Sequence, residues 1–168
     1  YDMILHDMAL QNLPVRLCMD RGGLSGDDGP THHGLFDIGY LRHVPGLVHM
    51  QAKDEDEFID MLWTMANYED GPIAIRYPRG NGPGATIKEK PELLTIGEAE
   101  VIQTGTDVCL IPLGTMMELA LEAKETLEAK GYSVTLINPR WIKPLDARTI
   151  SEHAKNAKVV CTFEDHVL

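Results

Sequence analysis

The stretch "PVRLCMDRGGLSGDDGPTHHGLFD" (residues 14–37) starts as a strand and ends as a loop dense with titratable groups. Its opening "PVRLCMD" reads as a strand running into the glycine-rich loop. Residues 20–37 then hold five glycines, four acids, one arginine and two adjacent histidines. Core-forming side chains are almost missing from the middle of that segment. Glycine permits positive φ and close approach of backbone to a ligand. A loop of this kind at the carboxyl end of a strand is where open α/β sheets bind small molecules.

The same reading extends outward. "GLVHMQA" (residues 46–52) and "PIAIRYPRG" (residues 72–80) form further strand patterns, the second ending in a turn. Between them, Asp54 and Glu57 have capping-box spacing. Phe58, Met61, Leu62 and Met65 follow at helical intervals. Strand, loop, helix and strand in succession is the rhythm of a parallel sheet.

Composition changes at residues 80–100, "GNGPGATIKEKPELLTIGEAE", which is rich in Gly, Pro and charge and reads as a connector. A second rhythm follows. "DVCLIPLG" (107–114), "YSVTLINPR" (132–140) and "KVVCTFED" (158–165) are strand patterns. Thr115 and Glu118 repeat the capping-box spacing, Leu119, Ala123 and Leu127 mark one helix face, and Gly131 is a stop signal. Residues 146–157 read as a short helix. The expected fold is therefore α/β with two open, mainly parallel-sheet units. We place the first at residues 1–85, a linker at 86–98 and the second at 99–168. Each unit reads as incomplete: only the amphipathic "YDMILHDMALQNL", with no visible cap, precedes the first strand, and "EDHVL" follows the last. The expectation is a piece of a longer polypeptide.

Bulk composition narrows the classes of function. Of 168 residues, 43% are hydrophobic and 24% charged, an ordinary soluble balance. No apolar run has the length of a membrane span. The formal charge of -11 argues against nucleic acid, whose phosphates need clustered Lys and Arg. Cys18, Cys109 and Cys161 are far apart in apolar runs, without metal-ligand spacing. They are expected to be buried free thiols in a reducing cytoplasm.

Within the loop, Arg21 offers a planar fork for phosphate or carboxylate. Asp27 and Asp28 are acceptors, and His32 and His33 exchange protons near neutral pH. Arg79, at the end of another strand of the same sheet, can face the same crevice. Arg76 alternates with Ile75 and is expected to point the other way, as a surface or interface residue. A bland alternative stands beside each residue: Asp and Gly serve turns for backbone reasons, loop histidines are commonly solvated, and Arg79 fits an interdomain salt bridge nearly as well as a ligand clamp. The density of functional groups at one strand exit favours a site. It is neither a nucleotide P-loop nor a hydrolase elbow.

These residues carry a resemblance. "LPVRLCMDRGGLSGDDGPTHHGLFD", with "YPRGNG", "INPRWIKPLD" and "TFEDH", resembles the 1-deoxy-D-xylulose 5-phosphate synthases, a transketolase-like, thiamine-diphosphate-dependent family. The likeness covers essentially the whole chain. "GDDGPTHHG" is highly specific, whereas "RWIKPLD" is shared more loosely, and transketolase itself has a related "DGPTHQ" block. The resemblance implies the later part of a pyrimidine-binding domain joined to the first part of a transketolase C-terminal domain. The family's Gly-Asp-Gly magnesium motif and its ring-activating glutamate are not among these residues.

By that resemblance, Arg21 and Arg79 bind the phosphate of glyceraldehyde 3-phosphate. Asp28 and His32 are the catalytic candidates, reaching the cofactor-bound pyruvate and the acceptor aldehyde. His33 receives no role, and Asp27 is expected to be solvated. Thiamine diphosphate and Mg2+ are implied, with their main ligands outside this chain; no metal or cofactor ligand is assigned within it. The implied protein is a cytoplasmic homodimer that uses pyruvate and glyceraldehyde 3-phosphate and engages no nucleic acid or membrane. The rival readings are another thiamine enzyme (a transketolase or the beta subunit of a 2-oxo-acid dehydrogenase) and a non-catalytic truncated binding module.

Overall fold

The structure, a computed structural model, describes residues 1–167. Among these residues eight strands form two four-stranded sheets. In the first, β1 (Arg16–Met19), β3 (Ile73–Arg76) and β2 (Val48–Met50) run parallel. In the second, β6 (Val134–Asn138), β5 (Val108–Pro112) and β8 (Val159–Phe163) do the same. Each sheet also has one antiparallel edge strand that the sequence reading missed. β4 (Glu100–Gln103) pairs with β6, and β7 (Trp141–Lys143) pairs with β2. β7 lies among second-unit residues in sequence, yet it completes the first sheet.

The helices follow the sequence pattern, with corrections at Leu62, Thr115 and Leu119. α1 (Asp37–Leu41) closes the glycine-rich loop. α2 (Glu55–Asn67) starts at Asp54, whose side chain accepts the Glu57 N–H at 2.8 Å. Met61 and Met65 of α2 pack against β2, β3 and the buried Trp141, but Leu62 is exposed. α3 (Met117–Ala129) lacks the expected Thr115 cap, because Thr115 lies inside a 3-10 turn that precedes the helix. Its inward face carries Ala120, Ala123 and Leu127, while Leu119 is exposed. The Gly131 stop holds: at φ 86° it allows Gly131 N–H to donate to Glu128 O and Tyr132 N–H to Leu127 O, a Schellman closure. α4 (Ala147–Ala154) is capped by Asp146.

The connector is fastened along α2. Glu55 accepts the N–H groups of Gly84 and Ala85, Asp56 that of Lys88, Asp60 that of Glu92, and Thr64 that of Leu94. This explains why the polar side chains of Asp60 and Thr64 are buried. A second polar cluster ties the two sheets. The buried Glu57 carboxylate accepts from Arg140 Nε at 2.7 Å and Asn138 Nδ2 at 2.8 Å, while Lys53 Nζ donates to Glu100 at 2.9 Å.

Cys109 is buried, Cys161 half-buried and Cys18 exposed. Cys18 departs from expectation because β1 is an edge strand with only one face covered. Among the described residues, no helix is long and apolar enough to cross a membrane.

Candidate functional site

The parallel pairing of β1 with β3 sets the site's position. Met19 is in register with Arg76, so both strands leave the sheet side by side at their carboxyl ends. The exits stay paired briefly: Tyr77 N–H donates to Met19 O, and Gly22 N–H donates to Tyr77 O. The glycine-rich loop rises from one exit and Arg79 from the other.

The loop has a narrow neck. Gly23 N–H donates to Gly34 O at 2.9 Å, and Gly34 N–H reaches both Arg21 O and Gly23 O. A Cβ on Gly34 would lie 2.3 Å from the Arg21 carbonyl oxygen, which only glycine avoids. Above the neck, short 3-10 turns at Gly26–Asp28 and Pro30–His32 shape the crown. Arg21 itself has φ 59°, a left-handed conformation uncommon for a side chain with Cβ. Such outliers persist where the surrounding structure enforces them.

Arg21, Asp28 and Arg79 come together. Arg21 Nε donates to Asp28 Oδ2 at 2.8 Å, and Arg79 Nη1 donates to Asp28 Oδ1. Arg21 also pairs with Asp20. The hydrogen bond from Arg21 holds the Asp28 carboxyl below the usual aspartate range, against partial desolvation, with Arg79 adding to the effect. The same Asp28 bond, with Asp20, raises the Arg21 guanidinium above its ordinary value. All three side chains keep contact with solvent.

The histidines divide. His32 Nδ1 lies 3.0 Å from Thr31 Oγ1, and its backbone N–H bonds Gly29 O. Among the described residues no hydrogen bond joins the His32 ring to Arg21, Asp28 or Arg79. His33 turns the other way. Its Nδ1 accepts the Ser25 N–H at 3.0 Å, and it lines a hollow of about 160 Å³ with Asp20, Gly22 and Phe36. Asp27 is exposed.

Arg76 overturns its expectation as a surface residue. It is wholly buried beneath the loop neck, and it does reach the second unit. Alternation along β3 was no guide, because this central strand is buried on both faces. Around Arg76 lie Asp37, His49 and Gln51, all buried. Burial pushes the His49 imidazole down to about 3, with Arg76 and His166 adding repulsion, so it stays neutral. Among the described residues neither His49 ring nitrogen has a hydrogen-bond partner, nor do Asp37 Oδ1 and Gln51 Nε2. Sequence reading passed over this chamber, although one signal was present: a charge inside the apolar "PIAIRY" run must be paired if the strand is central.

Fold and loop together define the class, and comparison agrees. Residues 1–84 match the family model described as "Transketolase, pyrimidine binding domain", and residues 97–168 match "Transketolase, C-terminal domain". The chain belongs to the transketolase family. Across all 168 residues it is 56% identical to a protein of Methylacidiphilum infernorum and 54% identical to one of Acidobacterium capsulatum. Both are named 1-deoxy-D-xylulose-5-phosphate synthase, as is a Heliobacterium modesticaldum protein at 48%. The chain spans about a quarter of the length of these relatives, 26%, 27% and 26% respectively. A solved structure described as a split gene transketolase, inactive beta4 tetramer, superposes with a TM-score of 0.86 at 26% identity. That match covers 98% of this chain and 52% of the other.

Proposed function

We propose that the polypeptide carrying this chain joins pyruvate to D-glyceraldehyde 3-phosphate, giving 1-deoxy-D-xylulose 5-phosphate and CO2. One observation supports the assignment of the phosphate end: a single carboxylate, Asp28, already bonds both Arg21 and Arg79. Two guanidinium groups from separate strand exits thus reach a common anion. A phosphate dianion offers more charge and more acceptor oxygens than a carboxylate, and planar guanidinium forks suit it.

In this reading Arg21 and Arg79 hold the phosphate of the acceptor and fix its aldehyde. Binding energy from that remote group goes into orientation. Asp28, released when phosphate takes its place, is left beside the reacting end. When the new carbon–carbon bond forms, the aldehyde oxygen becomes an alkoxide and needs a proton. His32, at the crown of the same loop, is the candidate donor. The loop and the floor below it limit access of stray protons.

Thiamine diphosphate, when bound, supplies the carbanion chemistry. Among the described residues no group of three or more His, Cys, Asp and Glu is arranged to hold a metal ion. From the resemblance to a family whose Gly-Asp-Gly magnesium motif is not among these residues, we place the Mg2+ and diphosphate ligands outside residues 1–168 and assign this chain the acceptor side of the site. We retain the division into residues 1–85, 86–98 and 99–168, with β7 as the segment that crosses back. A cytoplasmic homodimer completes the proposal.

The test is product analysis with the full-length polypeptide, thiamine diphosphate, Mg2+, pyruvate and glyceraldehyde 3-phosphate. Formation of 1-deoxy-D-xylulose 5-phosphate supports the reading. Ketol transfer between sugar phosphates, or no reaction, would replace it with one of the rival readings.

A further inference from the structure

The loop neck rests on a side chain that no step above uses. Arg76 engages four of its five N–H donors. Nε donates to Asp37 Oδ2 at 2.7 Å, Nη1 donates to Gln51 Oε1 at 2.6 Å and to Asp165 Oδ1 at 2.7 Å, and Nη2 donates to the Gly34 carbonyl at 3.1 Å. The bond to Gly34 O grips one wall of the neck. The other wall, Gly22 and Gly23, sits directly on the pair: a Cβ on Gly22 would lie 3.3 Å from the Arg76 guanidinium, and one on Gly23 would lie 2.0 Å from Asp165 Oδ2.

Asp165 belongs to the second unit, just past the end of β8. The residues after it continue the attachment. His166 Nε2 accepts the Gly39 N–H at 3.3 Å, and Val167 N–H donates to Leu35 O at 3.2 Å. Three consecutive residues of the second unit thus hold the exit of the loop whose entrance carries Arg21. Because Gly34 N–H bonds Arg21 O at 3.0 Å, the route from Asp165 to Arg21 is continuous: Asp165, Arg76, Gly34, Arg21.

We infer that Arg76 and Asp165 form a positioning pair through which the second unit sets the orientation of Arg21, and so the fit of the phosphorylated acceptor. The inference rests on the reading of Arg21 as a phosphate-binding residue. Among the described residues neither member of the pair hydrogen-bonds Asp28 or Arg79, so the effect passes through backbone. Elsewhere the second unit meets the first through Gly114, where a Cβ would lie 2.2 Å from the Gln51 side chain, which leaves little slack at this junction.

The test uses Asp165→Asn, which keeps shape and one acceptor, and Asp165→Ala, which removes both, in the full-length polypeptide with cofactor. Arg76→Lys serves as a second variant: it keeps charge but lacks the fork needed to hold Gly34 and Asp165 together. The expected result is a KM for glyceraldehyde 3-phosphate raised about 10-fold in Asp165→Ala, since a small misplacement of a binding group is costly. Asp165→Asn should raise it less, and the KM for pyruvate should not change. Hydrogen exchange at the Gly23 and Gly34 amides should speed up, with β6 unchanged. Equal increases in both KM values, or unaltered exchange at the neck, would overturn the inference. If the parent enzyme makes no 1-deoxy-D-xylulose 5-phosphate, the functional reading fails, and the exchange measurement still decides whether Asp165 holds the neck.

Discussion

Arg79 reaches Asp28 across 51 residues of sequence, and the carboxylate it meets is the one that Arg21 already holds from seven residues away. Parallel register between β1 and β3 makes this meeting possible, since both strands discharge at the same sheet edge. With Asp20 beside Arg21, the cluster sets two guanidinium groups against two carboxylates, and in the proposed reading an incoming phosphate would compete with Asp28 for them.

Replacing either arginine should therefore penalise the phosphorylated acceptor selectively. Arg21→Ala or Arg79→Ala is expected to lower kcat/KM for glyceraldehyde 3-phosphate by about 30- to 1,000-fold, typical for truncating one partner of a charged contact. The loss should shrink with unphosphorylated glyceraldehyde. Steady-state kinetics with both acceptors checks this; equal losses would make the arginines structural.

His32→Ala should slow turnover by about 10²- to 10⁴-fold if the imidazole moves a proton in the reaction. Among the described residues its ring bonds the neighbouring Thr31 alone, so the fold should be little affected. Thermal melting beside kcat separates the two effects, and a variant with normal turnover removes His32 from the mechanism.

His49 is expected to make the protein sensitive to acid. Between pH 6.5 and about 3 an unfolded chain takes up a proton at this imidazole that the folded chain refuses. Stability contributed by burying the neutral ring is present above pH 6.5 and falls by about 1.4 kcal/mol per pH unit through that window. Urea midpoints at pH 7 and pH 5 should differ less in His49→Gln than in the parent. Identical pH dependence in the two proteins would show that the ring is protonated, or exposed, in the fold.

Trp141 should prove a joint between the units. It is fully buried in the first core, although its strand belongs by sequence to the second, and its indole N–H donates to Glu98 O at 3.2 Å. Trp141→Ala is expected to cost about 3–5 kcal/mol. Chemical denaturation would measure that loss. Limited proteolysis should show new cutting near residues 86–98, where the connector loses the packing of Leu94 and Ile96.

Local pattern settled most of the architecture. The strands at residues 14–20, 46–52, 72–80, 107–114, 132–140 and 158–165, the Asp54 cap and the Gly131 stop are all short-range features. Each depends on residues within one turn or one strand, where periodicity and capping chemistry act directly. The loop "DRGGLSGDDGPTHHGLFD" likewise marked a candidate site through its composition. Where prediction failed, an element depended on a distant partner. β7 exists because β2 had a free edge, and three residues carry too little pattern to reveal that. Thr115 is a local exception: it fails as a cap because a 3-10 turn intervenes before the helix.

Sequence alone thus determined the α/β class, the two-part organisation and the set of side chains from which a site could be built. Tertiary structure decided which of them meet: Arg21 and Arg79 at one carboxylate, His32 apart from it, and Arg76 beneath the loop instead of on the surface. The physical reason is that periodicity reports which face of an element is apolar, whereas ion pairing requires a register between strands and a partner from another unit. Neither is written in the spacing of any single segment.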